Sequence, residues 1–220
     1  MSRSPLLLGH RGARSIPGIG ENTFAAFDLA LSSGCDGFEF DVRLSADGIA
    51  VVAHDPTVEG VEIASTPAAQ LPALPRLEVV LARYAERAFL DVELKVPGSG
   101  ASAVAAVHKY LPQRCIVSSF LPGVLHEVGG LDDSIALGFI CDDPDRLPQW
   151  RGLPCEYVIV HYPLASDDVL EEVHASGRSV LVWTVNRAAK MQELVFAGAD
   201  GIVSDDPALL ARTLRRELRP

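Results

Sequence analysis

Two acidic residues alternate with apolar ones in residues 37–43, GFEFDVR. Successive side chains of a β-strand point to opposite faces, so Glu39 and Asp41 are expected on the same face. Inside a closed barrel, such a pair of acids needs a metal, a buried cation or a ligand to offset the cost of burial. On an edge strand the pair would simply face water, and this is the simpler interpretation of an isolated Glu-x-Asp. Polar residues elsewhere in the chain decide between the two.

These polar residues stand at the ends of other short apolar runs. Glu93 adds a third carboxylate, and an all-oxygen set of three suits Mg²⁺ or Ca²⁺ better than zinc. Arg11 and Lys95 are cations suited to phosphate oxygens. His10 and His54 are of the residue type that transfers protons near neutral pH. Phosphodiester cleavage needs these parts: a Lewis acid, a base for the attacking oxygen and an acid for the leaving alkoxide.

Several of these residues also have a structural interpretation. Glu93 and Lys95 could form an ion pair inside the barrel, although this would leave the two acids of residues 37–43 without a partner. Phe120 and Trp183, near the ends of two later apolar runs, are either core aromatics or walls of a substrate pocket.

Short apolar or alternating runs recur eight times, and a helix-like segment follows each of them. The runs are residues 6–9, 38–42, 89–94, 115–118, 135–140, 157–160, 180–183 and 201–203. The helix-like segments are residues 23–32, 77–87, 101–110, 122–128, 144–150, 167–176, 187–197 and 207–217, with helix-start signals at Asn22, Ser166 and Asp206. Eight strand-then-helix units predict an α/β fold, a (β/α)8 TIM barrel in a single domain over residues 1–220. A doubly wound open sheet is the alternative, since counting units does not show closure. Barrel enzymes place their reacting groups at the carboxyl ends of the strands, where the polar residues named above stand.

A β-hairpin and a loop excursion are predicted after the second strand. The turn around Asp47 leads into residues 48–54 with no room for a crossover helix, so this run is expected to be antiparallel. A turn centred just before Asp47 would set Glu39 opposite His54. Residues 55–75 show little periodicity and are interpreted as a short loop excursion over the barrel mouth.

The composition sets limits on the function. The chain has 220 residues, 48% of them hydrophobic, and a formal net charge of −10, which suits one domain with a large core. Such an acidic chain lacks the basic face of a general nucleic-acid binder, so no nucleic-acid partner is expected. Four widely spaced cysteines without a C-x-x-C pair are interpreted as reduced thiols of a cytoplasmic protein. The first apolar run, Leu6-Leu7-Leu8, is too short for a signal-peptide core or a membrane span, so no stable membrane insertion is expected. The sequence leaves the oligomeric state undefined.

Seven short motifs follow one another along nearly the whole chain. They are His10-Arg11-Gly12, Glu21-Asn22-Thr23, Glu39-x-Asp41, His54-Asp55, Glu93-Leu-Lys95, Ser118-Ser-Phe120 and Trp183-Thr-Val-Asn186. Any one motif is weak evidence, but the ordered set is specific and resembles the glycerophosphodiester phosphodiesterase family. The resemblance implies a TIM-barrel hydrolase that splits glycerophosphodiesters, such as glycerophosphocholine or glycerophosphoethanolamine, into sn-glycerol 3-phosphate and an alcohol.

The resemblance also implies roles for particular residues. Matched one by one, they are His10 and His54 as the acid/base pair, Glu39, Asp41 and Glu93 as ligands of a divalent cation (Mg²⁺ or Ca²⁺, with Mn²⁺ a further option), and Arg11 and Lys95 as phosphate contacts. Glu21 would join the site from the loop after the first strand. Family members are thought to use the neighbouring glycerol hydroxyl as an internal nucleophile, through a cyclic phosphate. This chain departs from the family at Gly20, where Pro is usual, and after Asp55, where an Arg-Thr-Thr-type pattern is missing, so the substrate preference stays open.

Two other functions are compatible with the same motifs. A phospholipase-type phosphodiesterase acting on intact lipid would need an exposed apolar or basic surface near the rim, which this acidic chain with its short loop does not clearly offer. A barrel that only binds phosphate esters would lack a catalytic group, and the motifs lack none.

Overall fold

Eight parallel strands close into a barrel in the computed structural model, which describes residues 4–110, 112 and 114–215. The strands of the described chain are β1 (Leu6–Gly9), β2 (Gly37–Leu44), β3 (Ala50–Val52), β4 (Thr57–Val58), β5 (Val61–Glu62), β6 (Phe89–Leu94), β7 (Cys115–Ser119), β8 (Leu137–Cys141), β9 (Tyr157–His161), β10 (Ser179–Trp183) and β11 (Gly201–Ser204). The barrel order is β1, β2, β6, β7, β8, β9, β10 and β11, and β11 pairs with β1 in parallel. This closure confirms the predicted TIM barrel and excludes the open sheet.

The alternation of side chains along β2 and β6 separates two layers of the molecule. Phe38, Phe40 and Val42 are fully buried in the core between barrel and helices. A second, smaller core fills the barrel itself with one apolar side chain from most strands: Leu8, Phe89, Ile116, Ile140, Ile159, Leu181 and Val203. The acids of β2 and β6 point to the inside, because side chains alternate across a strand. The barrel interior is therefore apolar below and charged above.

Seven α-helices in the described residues cover the barrel: α1 (Phe24–Ser32), α2 (Leu77–Tyr84), α3 (Gly100–Tyr110), α4 (Pro122–Leu131), α5 (Asp167–Ala175), α6 (Ala188–Phe196) and α7 (Pro207–Leu214). Ser166 and Asp206 cap α5 and α7 as predicted, each accepting a hydrogen bond from a backbone N–H of the first turn. The cap of α1 is Thr23 and not Asn22, whose side chain instead bonds to Asp41. Residues 216 and 217 of the predicted last helix lie outside the described residues. In the described part of the chain, no helix has the length and apolar character needed to traverse a bilayer.

The fifth connection differs from the predicted α-helix over residues 144–150. It forms a 3₁₀ helix over Leu147–Gly152. Pro148 lies inside the predicted span, and a proline there removes a backbone donor and clashes with the preceding turn. A short 3₁₀ segment avoids that conflict.

The hairpin after β2 has a different register from the predicted one. Val42 pairs with Val52 and Leu44 with Ala50, so Glu39 does not lie opposite His54. The turn is centred on Asp47 itself and not between Asp47 and the residue before it, as was expected. The reason is that Ser45 and Ile49 are hydrogen-bonded around a three-residue loop. Gly48 closes this loop with φ 76°, a conformation that glycine adopts without strain.

Residues 55–75 form an excursion that packs on this hairpin. It contains the small antiparallel pair β4–β5 and a 3₁₀ turn over Ala68–Gln70. Its Ile63 is buried against Val51 and Ala53. The excursion contributes no residue to the lining of the cavity at the barrel mouth described below, so its role as a cover for the mouth stays a prediction.

Candidate active site

Three carboxylates meet at the upper end of β2 and β6. The parallel register pairs Asp41 with Glu93, and Glu39 stands one inward position below Asp41. One oxygen from each of these three acids lies within 4.8 Å of the others, and all three residues are buried. The structure thus brings together the residues that the sequence predicted as metal ligands.

Burial and mutual repulsion shift the pKa values of these acids. Burial, reinforced by Asp41 and Glu93, raises the pKa of Glu39 well above its ordinary value. Burial raises the pKa of Glu93 to about 7, although Lys95 opposes the shift. Burial alone would also raise the pKa of Asp41, but Lys95 and then Arg11 outweigh it and lower that pKa. If all three acids are ionised, their negative charge therefore exceeds the positive charge of Lys95 and Arg11.

Both predicted phosphate contacts are bound to these acids. Lys95 Nζ lies 2.9 Å from Asp41 Oδ1 and also contacts Glu93 Oε1. Arg11 Nε lies 3.2 Å from Asp41 Oδ2, and its Nη1 donates to Glu21 Oε1 at 2.7 Å. The Glu93–Lys95 ion pair, considered from the sequence as a structural alternative, is therefore present. It does not leave Asp41 unpaired, since Lys95 bridges both acids.

The donor set fits a hard divalent cation. Glu39 Oε1 is buried and accepts no hydrogen bond from any described residue. A buried carboxylate oxygen without a donor is costly, and a cation is the natural partner for it. Three carboxylates from rigid strands, without sulfur or imidazole among them, match the ligand preference of Mg²⁺, Ca²⁺ or Mn²⁺.

His10 follows β1 and is oriented by Asp205, a strand-end residue to which the sequence analysis assigned no role. Its Nδ1 lies 2.6 Å from Asp205 Oδ1, so its Nε2 faces the acids, 3.8 Å from Glu39 Oε2. Asp205 in turn accepts from Asn186 Nδ2 at 2.6 Å and donates its backbone N–H to Asn186 Oδ1. The hydrogen bonds from His10 and Asn186 lower the pKa of Asp205 against the effect of burial. The only sequence signal was the position of Asp205 just after the last strand.

The turn that carries Arg11 is held by Asn22, which the sequence analysis interpreted as a helix-start signal and not as a site residue. Arg11 and Asn22 have φ 49° and 58°, which is uncommon for residues other than glycine. The Arg11 N–H donates to Glu39 Oε2 at 2.9 Å, and Asn22 Nδ2 donates to Asp41 Oδ2 at 2.7 Å. Backbone strain of this kind persists where the surroundings determine the conformation, as they do around these acids.

His54 approaches from the hairpin and lines the same cavity as His10. Its Nδ1 is 2.8 Å from Asp55 Oδ1, and Arg43 Nε donates to its backbone carbonyl at 2.8 Å. Burial lowers the pKa of His54, although the hydrogen bond with Asp55 works in the opposite direction. His54 stands two residues beyond the end of β3 at Val52, and its side chain lines the mouth although it does not lie opposite Glu39.

Most of the side chains described above line one cavity of about 230 Å³. Its lining includes both histidines, Arg11, Lys95, Glu39 and Glu93 and, on the other side, the side chains of Phe120, Asp142 and Trp183. Glu21 is not part of the lining; its side chain is 36% exposed and binds Arg11 and Arg14 from outside. Of the predicted site residues, Glu21 thus contacts the site only through Arg11.

Comparison with known proteins places the same family beside this chain in sequence and in structure. The model of the glycerophosphoryl diester phosphodiesterase family matches residues 10–81 and 89–209. A glycerophosphodiester phosphodiesterase of Caldanaerobacter subterraneus subsp. tengcongensis is 29% identical, over 96% of this chain and 98% of that protein. A phosphodiesterase from Oleispira antarctica, solved in complex with the product sn-glycerol-3-phosphate, superposes with a TM-score of 0.86 and 25% identity over 96% of this chain and 97% of that one. A glycerophosphodiester phosphodiesterase from Thermotoga maritima has the same fold, with a TM-score of 0.83 and 24% identity over the full length of both chains. The family match covers the predicted site residues from His10 to Trp183. The chain therefore belongs to the glycerophosphoryl diester phosphodiesterase family.

Proposed function

We propose that the protein hydrolyses glycerophosphodiesters to sn-glycerol 3-phosphate and an alcohol with the aid of a divalent cation. The observation that carries this proposal is the cluster of Glu39, Asp41 and Glu93, of which Glu39 and Glu93 line one cavity together with two histidines. Family membership makes the chain a phosphoric diester hydrolase. The product bound to the Oleispira antarctica phosphodiesterase supports the choice of substrate.

Glu39, Asp41 and Glu93 would hold the cation. When bound, it would supply Lewis-acid stabilisation to the non-bridging oxygens of the phosphate. Arg11 and Lys95 line the same cavity and would contact phosphate oxygens, which carry the charge that these cations attract. The negative charge of the acids is then shared among several cations and does not repel the substrate.

His10 and His54 would act as the acid/base pair. The His10 ring is fixed through Nδ1 by Asp205, which leaves Nε2 free to exchange a proton inside the cavity. Asp55 binds Nδ1 of His54 in the same way. One histidine takes the proton of the attacking hydroxyl and the other gives a proton to the leaving alkoxide, so that charge does not accumulate on either oxygen.

The cavity favours a small, deacylated substrate. Its volume of about 230 Å³ lies below the range of about 300–1,000 Å³ that accommodates drug-sized ligands. A phosphate with a glycerol and a short alcohol suits this space better than an intact lipid. This argues against the phospholipase-type alternative.

The decisive experiment measures hydrolysis of a panel of glycerophosphodiesters and of bis(p-nitrophenyl) phosphate, with EDTA and with Mg²⁺, Mn²⁺ or Ca²⁺. Hydrolysis of the glycerophosphodiesters is expected to stop in EDTA and to return with the cation. Glu93→Gln should abolish the response to the cation, whereas Glu171→Gln, at an exposed position on α5, should preserve it. Turnover that survives exhaustive chelation would contradict the metal assignment. Cleavage of the nitrophenyl ester without any cleavage of glycerophosphodiesters would contradict the substrate class.

A further inference from the structure

We propose that Arg43 is a positioning residue for His54, because its guanidinium ties the backbone of this histidine to the strand that carries two of the three clustered acids. This role rests on the proposed function, in which His54 is one member of the acid/base pair. Arg43 does not line the cavity, so it acts through His54 and not on the substrate.

His54 is held less firmly by its ring than His10 is. The ring of His10 binds Asp205, and both residues are buried. The side chain of His54 is 35% exposed and binds Asp55, whose side chain is 73% exposed. Ion pairs and hydrogen bonds between groups in contact with water contribute little to fixing a geometry. A proton-transferring ring at this place therefore depends on how its backbone is held.

A hydrogen bond from Arg43 holds that backbone. β3 ends at Val52, and the N–H of Ala53 still donates to the Asp41 carbonyl at 3.0 Å. One residue later, Arg43 Nε donates to the carbonyl oxygen of His54 at 2.8 Å. A side chain of β2 thus continues the attachment of the segment to this strand where the backbone ladder stops. A charged donor also makes a stronger hydrogen bond than a neutral one.

Arg43 lies on the same strand face as two of the clustered acids. Glu39, Asp41 and Arg43 are alternate residues of β2, so their side chains project to the same side. Across the hairpin, Arg43 pairs with Val51. A single strand therefore sets the positions of the two acids and of the residue that holds His54. Displacement of the histidine relative to the acids requires this hydrogen bond to break.

The hydrogen bond, and not an ion pair, is the interaction that gives Arg43 this role. The half-buried guanidinium forms no ion pair with any residue that the structure describes. The neighbouring acids are paired with other cations, since Asp41 contacts Arg11 and Lys95, and Glu93 contacts Lys95. Removal of the charge at Arg43 should therefore matter less than removal of its N–H donor.

The test replaces Arg43 by glutamine and by methionine, which are both uncharged. Glutamine Nε2 is as many bonds from Cα as arginine Nε, so it offers an N–H donor at the same place, whereas methionine offers none. With the best glycerophosphodiester of the panel, Arg43→Met should lower kcat by about 10- to 100-fold and KM should change much less, because misplaced catalytic groups lose that much. Arg43→Gln should keep most of the wild-type kcat. Arg212→Met, at an exposed position of α7, removes the same charge and should keep the wild-type kcat.

A double-mutant cycle with His54→Ala distinguishes positioning from general damage to the site. Positioning predicts that Arg43→Met has little further effect on kcat once the ring is absent. A loss of equal size in both backgrounds would show that Arg43 supports the site independently of His54. The increase in Tm on addition of Mg²⁺ should be the same in Arg43→Met as in wild-type protein, since Arg43 does not pair with the acids. A smaller increase would contradict the proposal.

The role of Arg43 can fail separately from the proposed function. An absence of hydrolysis by wild-type protein, or full activity of His54→Ala, would overturn the proposed function or its acid/base assignment. A strong loss in His54→Ala together with near wild-type kcat in Arg43→Met would overturn the role of Arg43 alone. Equal losses in Arg43→Gln and Arg43→Met would attribute the effect to the charge and would also overturn positioning through the hydrogen bond.

Discussion

At the scale of single residues, the site depends on hydrogen-bonded pairs of side chains. The sequence motifs identify one residue of each pair as functional but do not identify its partner. His10 and His54 stand in recognisable motifs, and their chemistry follows from residue type. Asp205 is 195 positions away from His10 along the chain, and only barrel closure between β1 and β11 brings the two together. Asn22 was interpreted as a helix cap, because asparagine favours such positions, yet its side chain binds Asp41. Partners of this kind follow from three-dimensional register and cannot be obtained from local spacing.

Replacement of either histidine should remove most of the turnover. His10→Ala and His54→Ala are each expected to lower kcat by roughly 10²–10⁴-fold, because a lost general acid or base costs that much. KM should change much less, since Arg11, Lys95 and the divalent cation held by the acids would still bind the phosphate. Steady-state kinetics on glycerophosphocholine check this. Near wild-type kcat in both variants would contradict the acid/base assignment.

Asp205 is expected to act through His10. Asp205→Asn should lower kcat by about 10²-fold, because it weakens the hydrogen bond that holds the ring, and misplaced catalytic groups lose that much. In a His10→Ala background the same change should have little further effect, since the two residues act as a unit. A double-mutant cycle on kcat measures this coupling. Full additivity of the two losses would show that Asp205 works independently of His10.

At the scale of elements, the sequence predicted strands and helices well where hydrophobic period and caps agree. All eight barrel strands were anticipated, and their ends differ from the predicted ones by at most two residues. The failures are local. The hairpin register depends on whether the turn holds two or three residues, and this depends on the backbone of Gly48. The prediction of a fifth α-helix was wrong because Pro148 is incompatible with an α-helix interior, although the hydrophobic periodicity favours one.

Gly37 shows how closely β2 and β6 approach at the bottom of the barrel. A Cβ at this position would lie 1.8 Å from the carbonyl oxygen of Phe89, which is backbone and cannot rotate away. Gly37→Ala should therefore lower the free energy of unfolding by about 3 kcal/mol, the upper end of the usual cost of overpacking. Gly130→Ala is the matched control, because nothing lies within 4 Å of its Cβ in α4, and it should stabilise by about 0.5–1 kcal/mol. Urea unfolding of both variants tests this, and equal midpoints would refute the close contact.

At the scale of the whole molecule, the barrel carries buried acids that oppose its own stability. The pKa values of Glu93 and Asp91 are raised to about 7 by burial, and that of Glu39 is raised well above its ordinary value. Acids with raised pKa values bind more protons in the folded than in the unfolded chain. The free energy of unfolding therefore falls as pH rises from about 4.5 toward 7, by on the order of a few kcal/mol. The lowered pKa of His54 works in the opposite direction.

A divalent cation should reverse this loss. We expect the protein in EDTA to melt at a lower temperature at pH 8 than at pH 6, and the increase in Tm on addition of Mg²⁺ or Ca²⁺ to be larger at pH 8. The cation binds the deprotonated acids of the folded state, so its effect grows as they lose their protons. Glu93→Gln should reduce both effects, because the amide does not titrate. A cation response that does not change with pH would contradict the binding of metal to this cluster.

The path of β2 has one further consequence. Its first residues, Gly37 and Phe38, pair with β1 and complete the ring of strands, whereas Val42 and the two residues after it pair with β3. The hairpin and the excursion over residues 55–75 are thus attached above a scaffold that is already complete without them. We therefore predict that insertions, deletions or exchanges in this attachment alter which esters are admitted while the scaffold below keeps its hydrogen bonds. The same architecture can in this way serve substrates of different sizes through changes confined to one appendage.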